Sequence, residues 1–373
     1  MNGDVSLYFH VPFCTRKCDY CHFYVIPDQE RDKNRLAEGF RLEWQQKLPL
    51  LANKDIVSVY FGGGTPSLFG PERISEVLSR IPISDSAEIT LEANPEDITL
   101  PLMTSYASAG INRVSIGIQS LDDALLQRLG RIHSAKRGLD AVCITAEAGI
   151  CNISIDLMYD LPGQTLHHWE TTLDEVCKLP IAHLSLYNLT IEPHTVFFKH
   201  QDVLKKIIPD AEVSLSMYEM AIAKLQEAGL LQYEISAFAK EGFISRHNTG
   251  YWLGRPFLGF GPSAFSDWTG RRFRNVANLN KYLRALEDHA SPVDFDEKLE
   301  PQARRRELFV IAIRLLQGVD LAAFEKQHGP LDDETKEVIS FLADQRMLTA
   351  ANGRVSLTKQ GILFYDTIAS DLI

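Results

Sequence analysis

The stretch Val5-Ser6-Leu7-Tyr8-Phe9-His10-Val11-Pro12-Phe13-Cys14-Thr15-Arg16-Lys17-Cys18-Asp19-Tyr20-Cys21-His22-Phe23 decides the fold. It opens as an aromatic and β-branched run, a candidate strand over Val5–His10, and turns into a polar loop carrying three of the chain's six cysteines. Five further runs of the same kind follow, at Ile56–Phe61, Glu88–Ala93, Arg113–Ile118, Asn152–Tyr159 and His183–Leu189. Between them lie helical patterns over Asp32–Lys47, Pro71–Arg80, Pro101–Ala109, Asp123–Leu129, Ala135–Ala148 and His168–Lys178. Strands separated by helices must pair in parallel, because each crossover has to carry the chain back. Six such units predict an α/β fold built on a partial (β/α)6 barrel; the pattern alone also leaves an open doubly wound sheet. In both architectures the loops leaving the C-terminal strand ends gather on one ligand-binding face. Here those loops read HVPFCTRKCDYC, GGGTPS, EANPED, GIQSLD, DLPGQT and NLTIEP. They are dense in Gly, Pro, Cys, amides and carboxylates, whereas the strands are plain.

After about residue 200 the alternation lapses, which predicts three regions: a barrel over 1–200, an extension over 201–290 and a C-terminal domain over 291–373. The extension holds an amphipathic helix over Asp210–Ala228 and a loop rich in Gly and aromatics to about Asn275. Ser291–Pro301 is acidic and Pro-containing, and reads as a linker. Helical patterns at Ala303–Leu316, Leu321–Gln327 and Asp333–Gln345 precede a hairpin around Asn352-Gly353. Three helices and a hairpin predict a smaller α+β, winged-helix-like domain. Its third helix carries Asp332, Asp333, Glu334 and Glu337, which argues for packing or partner binding rather than DNA.

The chain of 373 residues is 45% apolar and 23% charged, which excludes wholesale disorder and disulfide-dense scaffolds. Its net charge of -11 argues against a broad nucleic-acid surface, although not against a local basic groove. No run is long and apolar enough for a membrane span, and Met1-Asn2-Gly3-Asp4 does not read as a secretory signal. The expectation is a cytoplasmic protein with reduced thiols.

Cys14-x3-Cys18-x2-Cys21 brings three thiolates to one loop. Zinc would need a fourth protein ligand, for which His10 and His22 are the candidates. A [4Fe–4S] cluster held by three cysteines keeps one iron open to a substrate or cofactor, and is the preferred reading. Inert buried cysteines fit poorly beside Thr15, Arg16, Lys17 and Asp19. Cys143, Cys151 and Cys177 read as packing residues. Gly62-Gly63-Gly64-Thr65-Pro66 lacks the Lys-Ser/Thr of a phosphate-binding loop, but its glycines let backbone approach a ligand. Taken singly, polar residues such as Glu92, Gln119, Arg131 and Asp156 at strand ends are ordinary caps.

Together these residues resemble a family. Tyr8-x-His10-x-Pro12-Phe13-Cys14-x3-Cys18-x-Tyr20-Cys21-x-Phe23 is similar to the radical S-adenosylmethionine (SAM) signature, in the branch of oxygen-independent coproporphyrinogen III oxidase. The resemblance implies that Cys14, Cys18 and Cys21 ligate a [4Fe–4S] cluster. The open iron would take the methionine end of SAM, and an electron would cleave the cofactor to a 5′-deoxyadenosyl radical. Tyr8, Tyr20, Gly63, Gly64, Thr65, Glu92, Gln119, Arg131, Asp156 and, less securely, Tyr187 and Leu189 would line the SAM pocket. Asp156-Leu-Met-Tyr-Asp160-Leu-Pro-Gly-Gln164-Thr matches the family's DLxxGLPGQT loop, with Asp160 where Gly is usual.

His247-Asn248-Thr249-Gly250-Tyr251-Trp252 reads either as a packed aromatic corner or as a haem-contacting segment. HNxxYW resembles the mark of the HemW-like haem chaperones in this branch. By resemblance His247, Tyr251 and Trp252 would contact haem, with His247 as the candidate axial ligand. Arg271, Arg272 and Arg274 read as either propionate forks or a solvated turn. Phe23, where the oxidases carry a further cysteine, and the expected lack of their N-terminal extension also favour the chaperones. The expected function is a haem chaperone delivering haem to acceptor haemoproteins, with a flavodoxin or ferredoxin as electron donor and a homodimer left open. The alternatives are an oxidase converting propionates to vinyls, that is, a SAM-dependent coproporphyrinogen III dehydrogenase, and a radical SAM methyltransferase or tRNA-modifying enzyme.

Overall fold

A computed structural model describes residues 3–373. Strands β1 (Asp4–Val11), β2 (Asp55–Gly63), β3 (Ile83–Ala93), β4 (Arg113–Gln119), β5 (Asn152–Tyr159) and β6 (His183–Asn188) lie side by side, all parallel. The six expected strand–helix units are therefore present, each boundary within a few residues of its sequence expectation except at β3, which starts five residues earlier, at Ile83. A hairpin, β7 (Leu231–Glu234) and β8 (Ala237–Ala239), adds antiparallel to β6. On the other side β9 (Phe257–Phe260) pairs parallel to β1 and leads into β10 (Phe265–Trp268), β11 (Arg271–Asn275) and β12 (Val293–Lys298). The twelve strands form one sheet, in the order β12-β11-β10-β9-β1-β2-β3-β4-β5-β6-β8-β7.

Successive side chains of a strand point to opposite faces, and here the two faces differ in chemistry. One set, including Leu7, Phe9, Val59, Phe61, Leu91, Ile116 and Ile155, is buried beneath the helices. The helix Glu30–Lys47 contributes Leu36, Phe40 and Trp44 at a spacing of four, and Phe9 packs within 4.7–5.2 Å of Phe40, Phe61 and Phe260. The other set is polar and lines the inside of the barrel: Ser6, Tyr8 and His10; Ser58 and Tyr60; Glu88, Thr90 and Glu92; Arg113 and Ser115; Ser154 and Asp156; His183 and Ser185. Register aligns Ser6 with Ser58, Tyr8 with Tyr60, Ser58 with Glu88 and Asp156 with Ser185. Parallel strands covered on both faces normally read as continuous apolar runs; an alternating set marks a lumen kept for polar work.

Three expectations are corrected. Ser291–Pro301 is not a linker. Its core is β12, because Asp294 and Asp296 pair with Arg274 and Arg271 of the adjacent strand, at 3.0 and 2.5 Å. Arg272 likewise bonds Glu297 and Glu307 at 2.6 Å, so the arginine cluster forms cross-strand ion pairs instead of a solvated turn or an open propionate site. The Gly- and aromatic-rich loop before Asn275 contains β9 to β11; its strand signal is masked by Gly259, where a side chain would collide with the Phe265 carbonyl. The C-terminal module begins at Pro301 and has its own core, built on Leu308, Phe309, Phe324, Ile339, Leu348 and Val355. Its hairpin turns at Asn352 and Gly353, φ 53° and 75°, as the Asn-Gly pair predicts. Among the described residues no helix is long and apolar enough to cross a membrane.

Glu43 ties the extension to the barrel. Fully buried, it accepts from Lys47 Nζ at 2.6 Å, Gly261 N–H at 2.8 Å, Asn275 Nδ2 at 2.7 Å and the Tyr282 hydroxyl at 2.7 Å. Removing one member of a buried charge pair strands the other. Glu43→Ala is expected to lose ~3–5 kcal/mol, lowering the thermal midpoint by roughly 10 °C in a calorimetric scan. A midpoint unchanged within a degree or two would refute this role.

Candidate functional site

The C-terminal ends of β1 to β6 surround a cleft of about 400 Å³. The cysteine loop forms one wall. It is closed on itself where Ile26 N–H donates to Pro12 C=O at 2.7 Å and Asp28 N–H to Cys14 C=O at 3.2 Å. Cys14, Cys18 and Cys21 are all free, half-buried and on the cleft. The GGGTP turn is laid against the root of this loop: Gly64 N–H donates to Val11 C=O at 2.9 Å and Thr65 N–H to Phe13 C=O at 2.7 Å. Gly64 is required here, since a Cβ would sit 2.7 Å from the Phe13 carbonyl oxygen.

A chain of contacts links two of the cysteines. Thr65 Oγ1 lies 3.4 Å from Cys14 Sγ and accepts from Asn94 Nδ2 at 3.0 Å. Asn94 Oδ1 in turn accepts from Arg131 Nη2 at 2.9 Å, and Arg131 Nη1 reaches Cys18 Sγ at 3.6 Å. The Arg131 Nε is buried with no hydrogen-bond partner, an unspent donor beside the cleft. Burial pushes the Cys14 thiol up to about 11, and the neighbouring cysteines add to this. Three thiols crowded this way ionise together only against concentrated positive charge. A cluster of irons supplies that charge and takes three thiolates from one loop, so the donor set fits it.

The zinc alternative fares worse. Both His10 nitrogens are taken, Nδ1 by the Tyr8 hydroxyl at 3.0 Å and Nε2 by Tyr24 C=O at 3.1 Å. Among the described residues no three His, Cys, Asp or Glu side chains converge closely enough for a single metal ion.

Opposite the arginine the cleft is acidic. Glu92 accepts from Gly63 N–H at 3.1 Å and from the Tyr60 hydroxyl at 2.7 Å. Burial raises its carboxyl to about 7, and burial also raises that of Asp156, which accepts from Ser115 Oγ at 3.3 Å. Gln119 lines the cleft at a φ of 67°, a left-handed conformation uncommon away from glycine and recurrent at ligand sites. Tyr20 and Tyr187 complete the walls. The result is bipolar, a guanidinium and two carboxylates lining one cleft. That arrangement suits a ligand carrying a carboxylate, an ammonium and sugar hydroxyls.

Nine of the eleven residues assigned to the SAM pocket line this one cleft; Tyr8 lies beneath it, stacked on Tyr60 at 6.2 Å. Leu189 packs in a separate apolar cluster with Leu125 and Phe197. Asp160 keeps the turn its family makes with Gly: it adopts φ 61°, and its Oδ2 accepts from Asn188 Nδ2 at 2.6 Å and Ser214 Oγ at 2.5 Å. Sequence reasoning missed Asn94 and Tyr60. Asn94 stands in the EANPED loop, and Tyr60 shares the inward register of Tyr8. Cys143 and Cys151 are exposed and Cys177 half-buried, so the first two are not packing residues.

The HNxxYW segment lies elsewhere, on a helix over Arg246–Trp252 at the opposite end of the barrel interior. His247 is 1% exposed, with Nδ1 paired to Ser58 Oγ at 3.0 Å and Nε2 to the Tyr251 hydroxyl at 2.8 Å. In this conformation neither nitrogen is offered to an iron. Trp252 carries the Arg314 guanidinium 4.4 Å from its ring centroid, joining the segment to the C-terminal module.

The comparisons follow the same division of the chain. The radical SAM superfamily profile matches residues 8–176, and the HemN C-terminal domain profile matches residues 299–364. The heme chaperone HemW of Bacillus subtilis is 32% identical over 364 residues, covering 96% of each chain. That of Haemophilus influenzae is 35% identical over 380 residues, covering 98% of this chain and 96% of its own. Among solved structures, the Escherichia coli radical SAM enzyme coproporphyrinogen III oxidase (HemN) superposes with a TM-score of 0.87 at 21% identity. The match covers 99% of this chain and 90% of that one, and establishes the shared fold.

The raised Glu92 carboxyl has a measurable consequence. Its folded value lies above its unfolded one, so the ionisation penalty is absent below the unfolded value and fully present once pH passes about 7. Glu92→Gln is therefore expected to stabilise the ligand-free protein relative to wild type at pH 8 and not at pH 5, by denaturant midpoints. An equal effect at both values would remove the claim.

Proposed function

Because the chain belongs to the HemW family of radical SAM proteins, we propose that it is a haem chaperone: it holds a [4Fe–4S] cluster on Cys14, Cys18 and Cys21, binds SAM in the adjoining cleft, and passes haem to acceptor haemoproteins. The near-full-length match to curated haem chaperones, 96% of both chains for the Bacillus subtilis relative, carries this reading. The bipolar cleft supports the SAM assignment. Arg131, with an unpaired Nε, would take the carboxylate of the methionine moiety, while Glu92 and Asp156 would hold its ammonium and ribose hydroxyls. Gly63 and Gly64 would give it backbone contact, and Tyr20 and Tyr187 flat surfaces for the adenine. When bound, the cluster supplies single electrons to SAM, drawn from a reduced flavodoxin- or ferredoxin-type donor. The free thiols of Cys143, Cys151 and Cys177 accord with the reducing cytoplasm.

Two experiments test the reading. Protein reconstituted anaerobically should carry four irons and four sulfides, lose them in Cys14→Ala, and release neither CO2 nor protoporphyrinogen IX from coproporphyrinogen III with SAM and reductant. Stoichiometric decarboxylation would install the oxidase reading instead.

For haem, His247 becomes a ligand only once Nε2 leaves the Tyr251 hydroxyl. Tyr251→Phe is expected to tighten haem binding about fivefold, the worth of one hydrogen bond. His247→Ala is expected to abolish the Soret shift. A full Soret shift in His247→Ala assigns the iron to another side chain.

A further inference from the structure

Between the cleft and the far end of the barrel, buried polar side chains form one continuous column. At its top Glu92 has both oxygens engaged, one by the Gly63 N–H and one by the Tyr60 hydroxyl. The Gly63 donor is fixed by the backbone of the cleft. The Tyr60 donor sits at the end of a long side chain crossing the barrel interior, and its position depends on what touches the ring. The His247 imidazole is one neighbour, with centroids 4.8 Å apart and planes 32° apart; Tyr8 stacks with it at 6.2 Å.

His247 is itself held rigidly. Its two nitrogens are bonded to Ser58 and Tyr251, and its N–H donates to Glu88 Oε1 at 2.9 Å. Glu88 Oε2 also accepts the Arg246 N–H at 3.0 Å, which hangs the start of the helix on β3. The carboxylate in the cleft is thereby joined, through Tyr60, to a ring that belongs to the HNxxYW helix.

We propose that Tyr60 and His247 are positioning residues for SAM: the imidazole packs Tyr60 so that its hydroxyl fixes Glu92 in the cleft, and the helix over Arg246–Trp252 responds to whether the cleft is filled. This rests on the assignment of the cleft to SAM. It gives the histidine of the segment a task that requires its burial, in the haem-free conformation, and it needs no contact between His247 and the cofactor.

The test uses anaerobically reconstituted full-length protein, SAM titrated by calorimetry, and amide hydrogen exchange with and without SAM. Tyr60→Phe and His247→Ala should each weaken SAM binding about tenfold, the scale of one hydrogen bond to a charged group. The double variant should be no weaker than either single one, because both act through the same carboxylate. His247→Phe, which restores a ring against Tyr60, should return affinity to within about twofold of wild type. A role confined to stability would lower the melting temperature without this pattern. In wild type and His247→Phe, SAM should slow exchange across residues 246–252; in Tyr60→Phe it should not. SAM affinity equal to wild type in Tyr60→Phe and His247→Ala, or exchange at 246–252 indifferent to SAM in wild type, overturns the proposal. If His247→Ala does not fold, Tyr60→Phe alone decides. Wild-type protein that fails to bind SAM defeats the cleft assignment itself, a result distinct from normal binding with unaffected variants.

Discussion

The molecule depends on a strict two-residue alternation in which the inner face of a parallel barrel is polar and the outer face apolar. A slip of one residue in any strand would put phenylalanine and leucine into the lumen and Glu92 or Asp156 beneath a helix. Charged side chains without partners in that layer are expensive to bury. The register is thus specified twice: by the apolar set under the helices, and by inner-face pairs such as Ser6–Ser58 at 2.8 Å and Ser154–His183 at 2.8 Å. Tyr8, Tyr60, Glu92, Gln119 and Asp156 inherit their direction from that alternation.

Such a lumen is marginal by construction, and the structure contains the costs in identifiable places. Glu92 carries a raised pKa because the barrel removes it from water faster than its two hydrogen bonds compensate. Arg113 is 1% exposed and approaches Glu88 only to 4.0 Å, with its Nε unpartnered. Gln119 and Asp160 hold left-handed backbone conformations without being glycine. These four residues lie along the interior and at its C-terminal rim, and several of the surrounding helices carry side-chain caps. Thr165 accepts from His168 N–H at 3.2 Å within a capping box, and Ser134 accepts from Arg137 N–H at 3.2 Å.

What was legible in the sequence follows the same boundary. The cysteine loop, the GGGTP turn and the strand-end polar residues were readable because their spacing along the chain is their chemistry. Asn94 and Tyr60 were not singled out, since each acts only across strands: Asn94 joins Thr65 to Arg131, and Tyr60 joins Glu92 to His247. The strands β9 to β11 were hidden by Gly259 and Gly261, which read as loop residues yet are demanded by close backbone approach. The acidic stretch before Pro301 read as a linker because its partner arginines lie some twenty residues earlier; charge complementarity between two edge strands is a tertiary fact, absent from either segment alone.

The placement of the HNxxYW helix constrains how the cleft and that helix can be related. The cleft opens at the C-terminal strand ends, whereas His247 bonds Ser58, itself bonded to Ser6, nearer the strand beginnings, and Tyr60 lies between His247 and Glu92. Coupling between the cleft and the helix through Tyr60 would be reciprocal: a ligand of the cleft that shifts the helix has its own affinity altered to the same extent by whatever shifts the helix. The route has two exits from His247. One runs upward through Tyr60 to Glu92, and the other outward through Tyr251 and the neighbouring Trp252 to Arg314, which also packs over Tyr365 and pairs with Glu234 at 3.3 Å. A helix held at both exits is bistable when one set of contacts can be exchanged for another, and a histidine whose two nitrogens are both spent has to surrender one to do anything else. The barrel's polar column is thus the element through which the cleft and the HNxxYW helix would influence each other.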